Sequence, residues 1–180
     1  THSPSQTGVS AALDAWQPCR RMAVERATAI DRFFGAALNP QDWPPVLEDI
    51  AQALDADGAT LIFEPTRRET LIESVHIRDY VSDYFAHGLT FDPREQRVRV
   101  GIADGFVDDS RHFTREEVDR DPFYAYLRRH KLGWHAVACL GEAPADIVLS
   151  LKRRGARGAF QAPEIDAMNK VLPHLRGAAA

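Results

Sequence analysis

Tyr80, Tyr84 and Asp92 are the residues whose types and spacing best suit work on a small molecule. Tyrosines four positions apart share one face of a helix. Pro93 holds the residue before it in an extended conformation, so the Asp92 carboxylate can be aimed back at that face. Two phenolic donors and one acceptor in an apolar wall match a small amphipathic ligand carrying a carbonyl and an N–H. The same residues also fit an ordinary helix whose aromatics are core and whose aspartate caps the next turn.

Motifs for covalent or metal chemistry are missing. The seven histidines form no His-x-x-x-His or His-Glu-x-x-His pair, so no zinc site is expected. There is no Gly-x-Ser-x-Gly elbow, no Gly-x-Gly-x-x-Gly turn and no Gly-x-x-x-x-Gly-Lys loop, and no cofactor is implied. A dispersed acid/base set such as His135 with Asp92 is the enzymatic alternative, because groups from separate strands can converge without leaving a motif. Asp108-Asp109 and Asp119 to Asp121 lack the alternating pattern of a calcium loop and read as solvated loops and caps. Two basic groups, Arg128 to Lys131 and Lys152 to Arg157, read as a solvated helix end and a hairpin rim.

The 180 residues, 44% hydrophobic and 27% charged, describe one globular domain that can be stable without disulfides or a metal. Cys19 and Cys139 stand far apart in sequence and read as small apolar residues or a thiol. With 22 basic against 26 acidic residues and a net charge of -4, binding of nucleic acid by this chain itself is disfavoured. No apolar run approaches the roughly 18 to 20 residues of a membrane span, and no secretory leader pattern opens the chain. A cytoplasmic protein with no membrane partner is the expectation.

Residues 1–21 read as a flexible N-terminal arm, and 22–180 as one domain. Helical spacing runs from Met22 to Leu38, and again through Trp43, Val46, Leu47, Ile50, Ala51 and Leu54, with Asp42 as N-cap. Residues 58 to 77 read as a β-hairpin. A helix carries Tyr80, Val81, Tyr84 and Phe85 to a stop at Gly88, and a short strand is expected around Gly105 to Val107. Thr114 and Glu117 form a capping box. Pro122 opens a helix that Gly133 closes. Strands Trp134–Leu140 and Asp146–Lys152 follow, then a helix from Pro163 to Arg176. The stripe Ile165, Met168, Leu172, Leu175 on that helix could pack on its own sheet or form a homodimer seam. This order predicts an α+β fold, an antiparallel sheet of about five strands with helices packed on both sides, similar to PAS and GAF modules.

Tyr80-x-x-x-Tyr84 followed by Asp92-Pro93 resembles the Trp-x-x-x-Tyr…Asp-Pro signature of the autoinducer-binding domain of LuxR-type transcriptional regulators. The likeness extends through Asn39-Pro40-Gln41-Asp42-Trp43, Asp57-Gly58-Ala59, Asp121-Pro122-Phe123-Tyr124 and Val171-Leu172-Pro173-His174-Leu175. It is nearest to sensor domains found ahead of LuxR-type helix-turn-helix modules. The resemblance implies that Tyr80 and Asp92 meet the head group of a small organic effector, with Tyr84 beside them. It also implies that DNA is contacted only through a C-terminal module outside these 180 residues, working as a dimer. Here the first aromatic is Tyr instead of Trp, Asp92 stands one residue closer, and a second Trp after the Asp-Pro is absent. The effector is therefore left as an unspecified small molecule. Trp134 and Phe63 are the further candidates for lining its site. The alternative is a ligandless dimerisation or protein-interaction domain whose interior is filled by Phe63, Tyr84 and Trp134.

Overall fold

The computed structural model describes residues 25–36, 39–63, 71–88, 92–97, 101–141 and 147–179. The expected arm 1–21, and the turns around Pro65 to Arg68 and Glu142 to Pro144, lie outside the described residues. Helix α1 spans 25–36, and a 3-10 turn, Pro40–Asp42, leads into α2, Trp43–Ala53. Strand β1 is Gly58–Phe63 and β2 is Leu71–Glu73. A 3-10 turn, Val75–Ile77, enters α3, Arg78–Asp83, which widens into a π-turn over Tyr84–Gly88. Then come short α4, Arg94–Arg97, and β3, Val107–Asp108. Helix α5 is Arg115–Arg120 and α6 is Pro122–Arg129. Strands β4, Leu132–Cys139, and β5, Ile147–Arg154, precede α7, Ala162–Ala179.

The strands form one five-stranded sheet in the order β2-β1-β5-β4-β3, every pairing antiparallel. Central β5 is buried on both faces, and its period-2 alternation separates two cores. Ala59, Leu61, Ala136, Ala138, Leu149 and Leu151 pack with α1, α2 and α7. Val137 and Val148 point the other way, toward Tyr80 and Val81 of α3, Val118 of α5, and Phe123, Tyr124 and Leu127 of α6. The α+β sheet with helices on both faces is thus as expected. Ile165, Met168, Leu172 and Leu175 are all buried in the first core, so this stripe packs on its own sheet.

Local differences have physical causes. Asp42 has helical backbone angles and makes no cap bond; its carboxylate instead accepts from the Asn39 amide at 3.0 Å. Helix α2 ends before the expected Asp57-Gly58, where Asp55 turns to φ 58. The second arm of the hairpin is cut to Leu71–Glu73 because Val75–Ile77 coil into a 3-10 turn. Helix α6 ends at Arg129, and Lys131 at φ 61 makes the reversal. Gly133 therefore sits in β4, where a Cβ would lie 2.6 Å from the Gly155 Cα, a close backbone approach open only to glycine.

The capping box forms as expected. Glu117 N–H donates to Thr114 Oγ1 at 3.2 Å, and Thr114 N–H donates to Glu117 Oε2 at 2.7 Å. Asp121 then ends α5 and caps α6, accepting from the Phe123 N–H at 2.7 Å. These bonds hold the helix pair that covers the second face of the sheet. Thr114→Ala is expected to cost about 1 kcal/mol of unfolding free energy in urea titrations.

Candidate functional site

The second face of the sheet carries an unusual burden for a protein interior. Thr60 on β1, Ser150 and Lys152 on β5, and His135 on β4 share its parity, and all are buried. The register sets Thr60 opposite Ser150 and His135 opposite Lys152, so cross-strand neighbours make a contiguous polar strip. Asp109 reaches the strip from the end of β3 and accepts from the His135 ring Nδ1 at 3.0 Å.

Above the strip stands an aromatic wall. Tyr80 and Tyr84 lie one helical turn apart with ring centroids separated by 5.8 Å. Tyr126 of α6 stands 6.3 Å from Tyr80 and 5.8 Å from Phe123. The π-turn begins at Tyr84, and turns of this kind are frequent at functional sites. The Tyr84 hydroxyl donates to Asp92 Oδ2 at 3.0 Å, so the sequence-derived trio is a physical cluster.

Arg94 completes it. Its backbone N–H and Nε donate to Asp92 Oδ1, each at 2.9 Å, while Nη2 donates to Oδ2 at 2.7 Å. The Asp92 and Arg94 side chains are only 3% and 7% exposed, and the guanidinium lies 4.4 Å from the Phe123 ring centroid, a cation–π contact. Burial opposes both charges, yet each holds the other ionised. Asp92 stays below the usual carboxylate range, and Arg94 is driven well above the usual arginine value.

Other groups respond chiefly to burial. It pushes His135 down to about 4, against the pull of Asp109. It pushes Lys152 down to about 7, helped by the nearby Arg94 charge. The hydroxyls of Tyr80, Tyr124 and Tyr126 are all raised. Among the described residues, buried Arg94 Nη1, Asp109 Oδ2, Tyr124 Oη and Thr60 Oγ1 find no hydrogen-bond partner. Native interiors leave few such atoms unpaired, and four around one strip are an arrangement suited to a polar ligand. No group of three or more His, Cys, Asp or Glu side chains suited to a metal occurs among the described residues.

The other sequence candidates fall elsewhere. Trp134 sits at the margin of the second core, its indole N–H donating to the Gly155 carbonyl at 3.4 Å. Phe63 shares parity with Ala59 and Leu61 and packs against the first core, on the far side of the sheet. The structure therefore does not bring Phe63 to the Tyr80–Tyr84–Asp92 cluster. Lys152 and Arg153 are buried instead of forming a solvated rim, and Asp108 and Asp109 are buried instead of lying in a solvated loop. A strand covered on both faces leaves no solvent for its basic residues. Sequence reasoning missed Arg94; the available signal was an arginine two residues after the aspartate, close enough to fold back on it.

No protein-family model matches the chain, and no curated protein matches it in sequence. Solved structures do match. One is CepR2 from Burkholderia cenocepacia, described as an N-acylhomoserine lactone dependent LuxR family transcription factor. It is 18% identical, with a TM-score of 0.59 over 86% of this chain and 93% of that chain. The VqsR LBD domain from Pseudomonas aeruginosa is 16% identical, with a TM-score of 0.55 over 81% of this chain and 90% of its own. Escherichia coli SdiA is 20% identical with a TM-score of 0.54, covering 85% of this chain; the alignment spans 65% of the SdiA chain. The fold is that of the autoinducer-binding domains of LuxR-family regulators.

Two predictions follow from the buried charges. Arg94→Leu strands the Asp92 carboxylate and is expected to cost about 3 to 5 kcal/mol, whereas the Asp92→Leu/Arg94→Leu double variant recovers most of that loss in urea titrations. For His135 the folded-state pKa lies below the unfolded value. The unfolded chain therefore takes up the proton first as pH falls. Stability should drop from the ordinary histidine range down to about pH 4. His135→Gln should flatten that part of the stability profile relative to wild type.

Proposed function

We propose that this chain is the ligand-sensing domain of a LuxR-type transcriptional regulator. On this reading a small organic effector binds between the sheet and the α3 to α6 side, and its occupancy is passed to a DNA-binding module. The carrying observation is the buried aromatic and polar wall of Tyr80, Tyr84, Asp92 and Arg94 facing the polar strip, in a domain with the fold of LuxR-family sensor domains. That SdiA has been solved in complex with octanoyl-rac-glycerol supports an amphipathic ligand for this fold. The role is regulatory and non-enzymatic, and the working unit is a cytoplasmic homodimer. A ligand shifts such a switch only by binding one of its states better than the other.

Trp134 is retained as a marginal lining residue and Phe63 is not, since it packs on the opposite face. No helix among the described residues is long and apolar enough to cross a membrane.

Native mass spectra of the purified chain, recorded before and after unfolding, test this reading. A stoichiometric small-molecule adduct released on unfolding is the expected result. Tyr84→Phe keeps the ring but removes the bond to Asp92, and is expected to reduce ligand affinity by about tenfold. A clean apo dimer that is neither loaded nor stabilised by any small molecule would transfer the assignment to a protein-interaction domain.

A further inference from the structure

We propose that the polar strip receives a small organic carboxylate that also carries a hydroxyl or amino donor. In this arrangement the carboxylate meets the Lys152 ammonium and Arg94 Nη1, and the donor meets Asp109 Oδ2. This rests on the sensing function proposed above and narrows the class of its effector.

Asp92 has no capacity to spare. Oδ1 accepts the Arg94 backbone N–H and Nε, and Oδ2 accepts the Tyr84 hydroxyl and Arg94 Nη2. A ligand N–H could reach this carboxylate only by displacing one of those bonds inside the core. A neutral amide head group thus finds its obvious acceptor already filled.

Donors, in contrast, are in surplus. The Lys152 side chain is buried and its ammonium donates to Ser150 Oγ. Among the described residues no carboxylate pairs with it. Burial leaves this amine only part-charged near neutral pH, and in its ammonium form two of its three N–H groups remain for an anion that would hold the proton there. Arg94 Nη1 is also unspent, and the Tyr124 hydroxyl lies unpartnered in the same electrostatic neighbourhood. A lone buried cation is costly unless an anion in good geometry meets it. A carboxylate accepts through both oxygens at charge-assisted strength.

Asp109 sets the remaining requirement. One of its oxygens is held by His135 and the other is unpartnered. An incoming anion without a donor would add repulsion there, whereas a hydroxyl or ammonium on the same molecule satisfies that oxygen. A phosphate, with up to two negative charges, would exceed what Lys152 and Arg94 can balance beside Asp92 and Asp109.

The test compares matched pairs on the 180-residue chain: 4-hydroxybenzoate, 3-hydroxyoctanoate and leucine against their primary amides, with N-octanoyl homoserine lactone as the neutral reference. Calorimetric titration and Tm shifts are read for wild type, Lys152→Met and Lys152→Gln. At least one carboxylate is expected to bind about tenfold or more tightly than its amide, a preference that both variants abolish. Without ligand, Lys152→Met is expected to raise Tm, because it removes a buried amine whose charged form lacks an ion-pair partner; a purely structural lysine would give a fall. Amides or the lactone binding as well as the acids would overturn the carboxylate class while leaving the sensing function standing. If nothing in the panel binds, the carboxylate class is likewise overturned, and the released-adduct measurement independently decides the sensing function.

Discussion

Two opposite charges, Asp92 and Arg94, are sunk in the interior, and the helical side of the molecule is organised to tolerate them. Stripping water from such a pair costs several kcal/mol per ion, and attraction alone repays it only when the remaining hydrogen-bonding capacity is also met. The Tyr84 hydroxyl and the Arg94 backbone N–H meet that of Asp92, and the Phe123 ring covers the guanidinium, whose Nη1 is left without a partner among the described residues. Each of these is placed by something further out. Tyr84 opens the π-turn at the end of α3. Phe123 is fixed by the Asp121 cap, which starts where the Thr114–Glu117 box has delivered α5. Local capping chemistry thus decides where a buried guanidinium can rest.

What was legible from the residues alone depended on whether periodicity carried the information. Helix α2, the paired strands β4 and β5 and the inward stripe of α7 announce themselves by spacing, since burial on one face imposes it. Tyr80, Tyr84 and Asp92 were legible for a different reason: proline and helical phase fix their mutual direction. Lys152 and Arg153 were illegible because adjacent basic residues near a hairpin end look solvated. Only the order β2-β1-β5-β4-β3 shows that β5 is central. Phe63 could have been placed correctly, because its parity with Ala59 and Leu61 assigns it to the α2 and α7 side. Arg94 follows a proline in a segment without periodicity; its pairing with Asp92 is local, but its burial depends on the distant Phe123 ring that covers it.

The two faces of the sheet also differ in what they ask of the sequence. The first is apolar and closely packed, built from alanine and leucine on the strands against α1, α2 and α7. The second accepts Thr60, Ser150, His135 and Lys152 in positions where aliphatic residues would bury more favourably. Polar groups held at such cost are commonly the mark of a site whose stability has been traded for function.

Lys152 and Arg153 are consecutive on β5, so the pleat sends one to each side of the sheet. Arg153 grips the Asp55 carbonyl at the end of α2, pairs with Glu164 in the first turn of α7 and lies 3.8 Å from the Phe160 ring centroid. One short stretch of backbone therefore carries both the buried lysine of the polar strip and the arginine that ties α2 to α7. A single peptide bond thus separates the residue that seats α7 from the one that sets the charge of the polar strip, so the position of β5 fixes both at once.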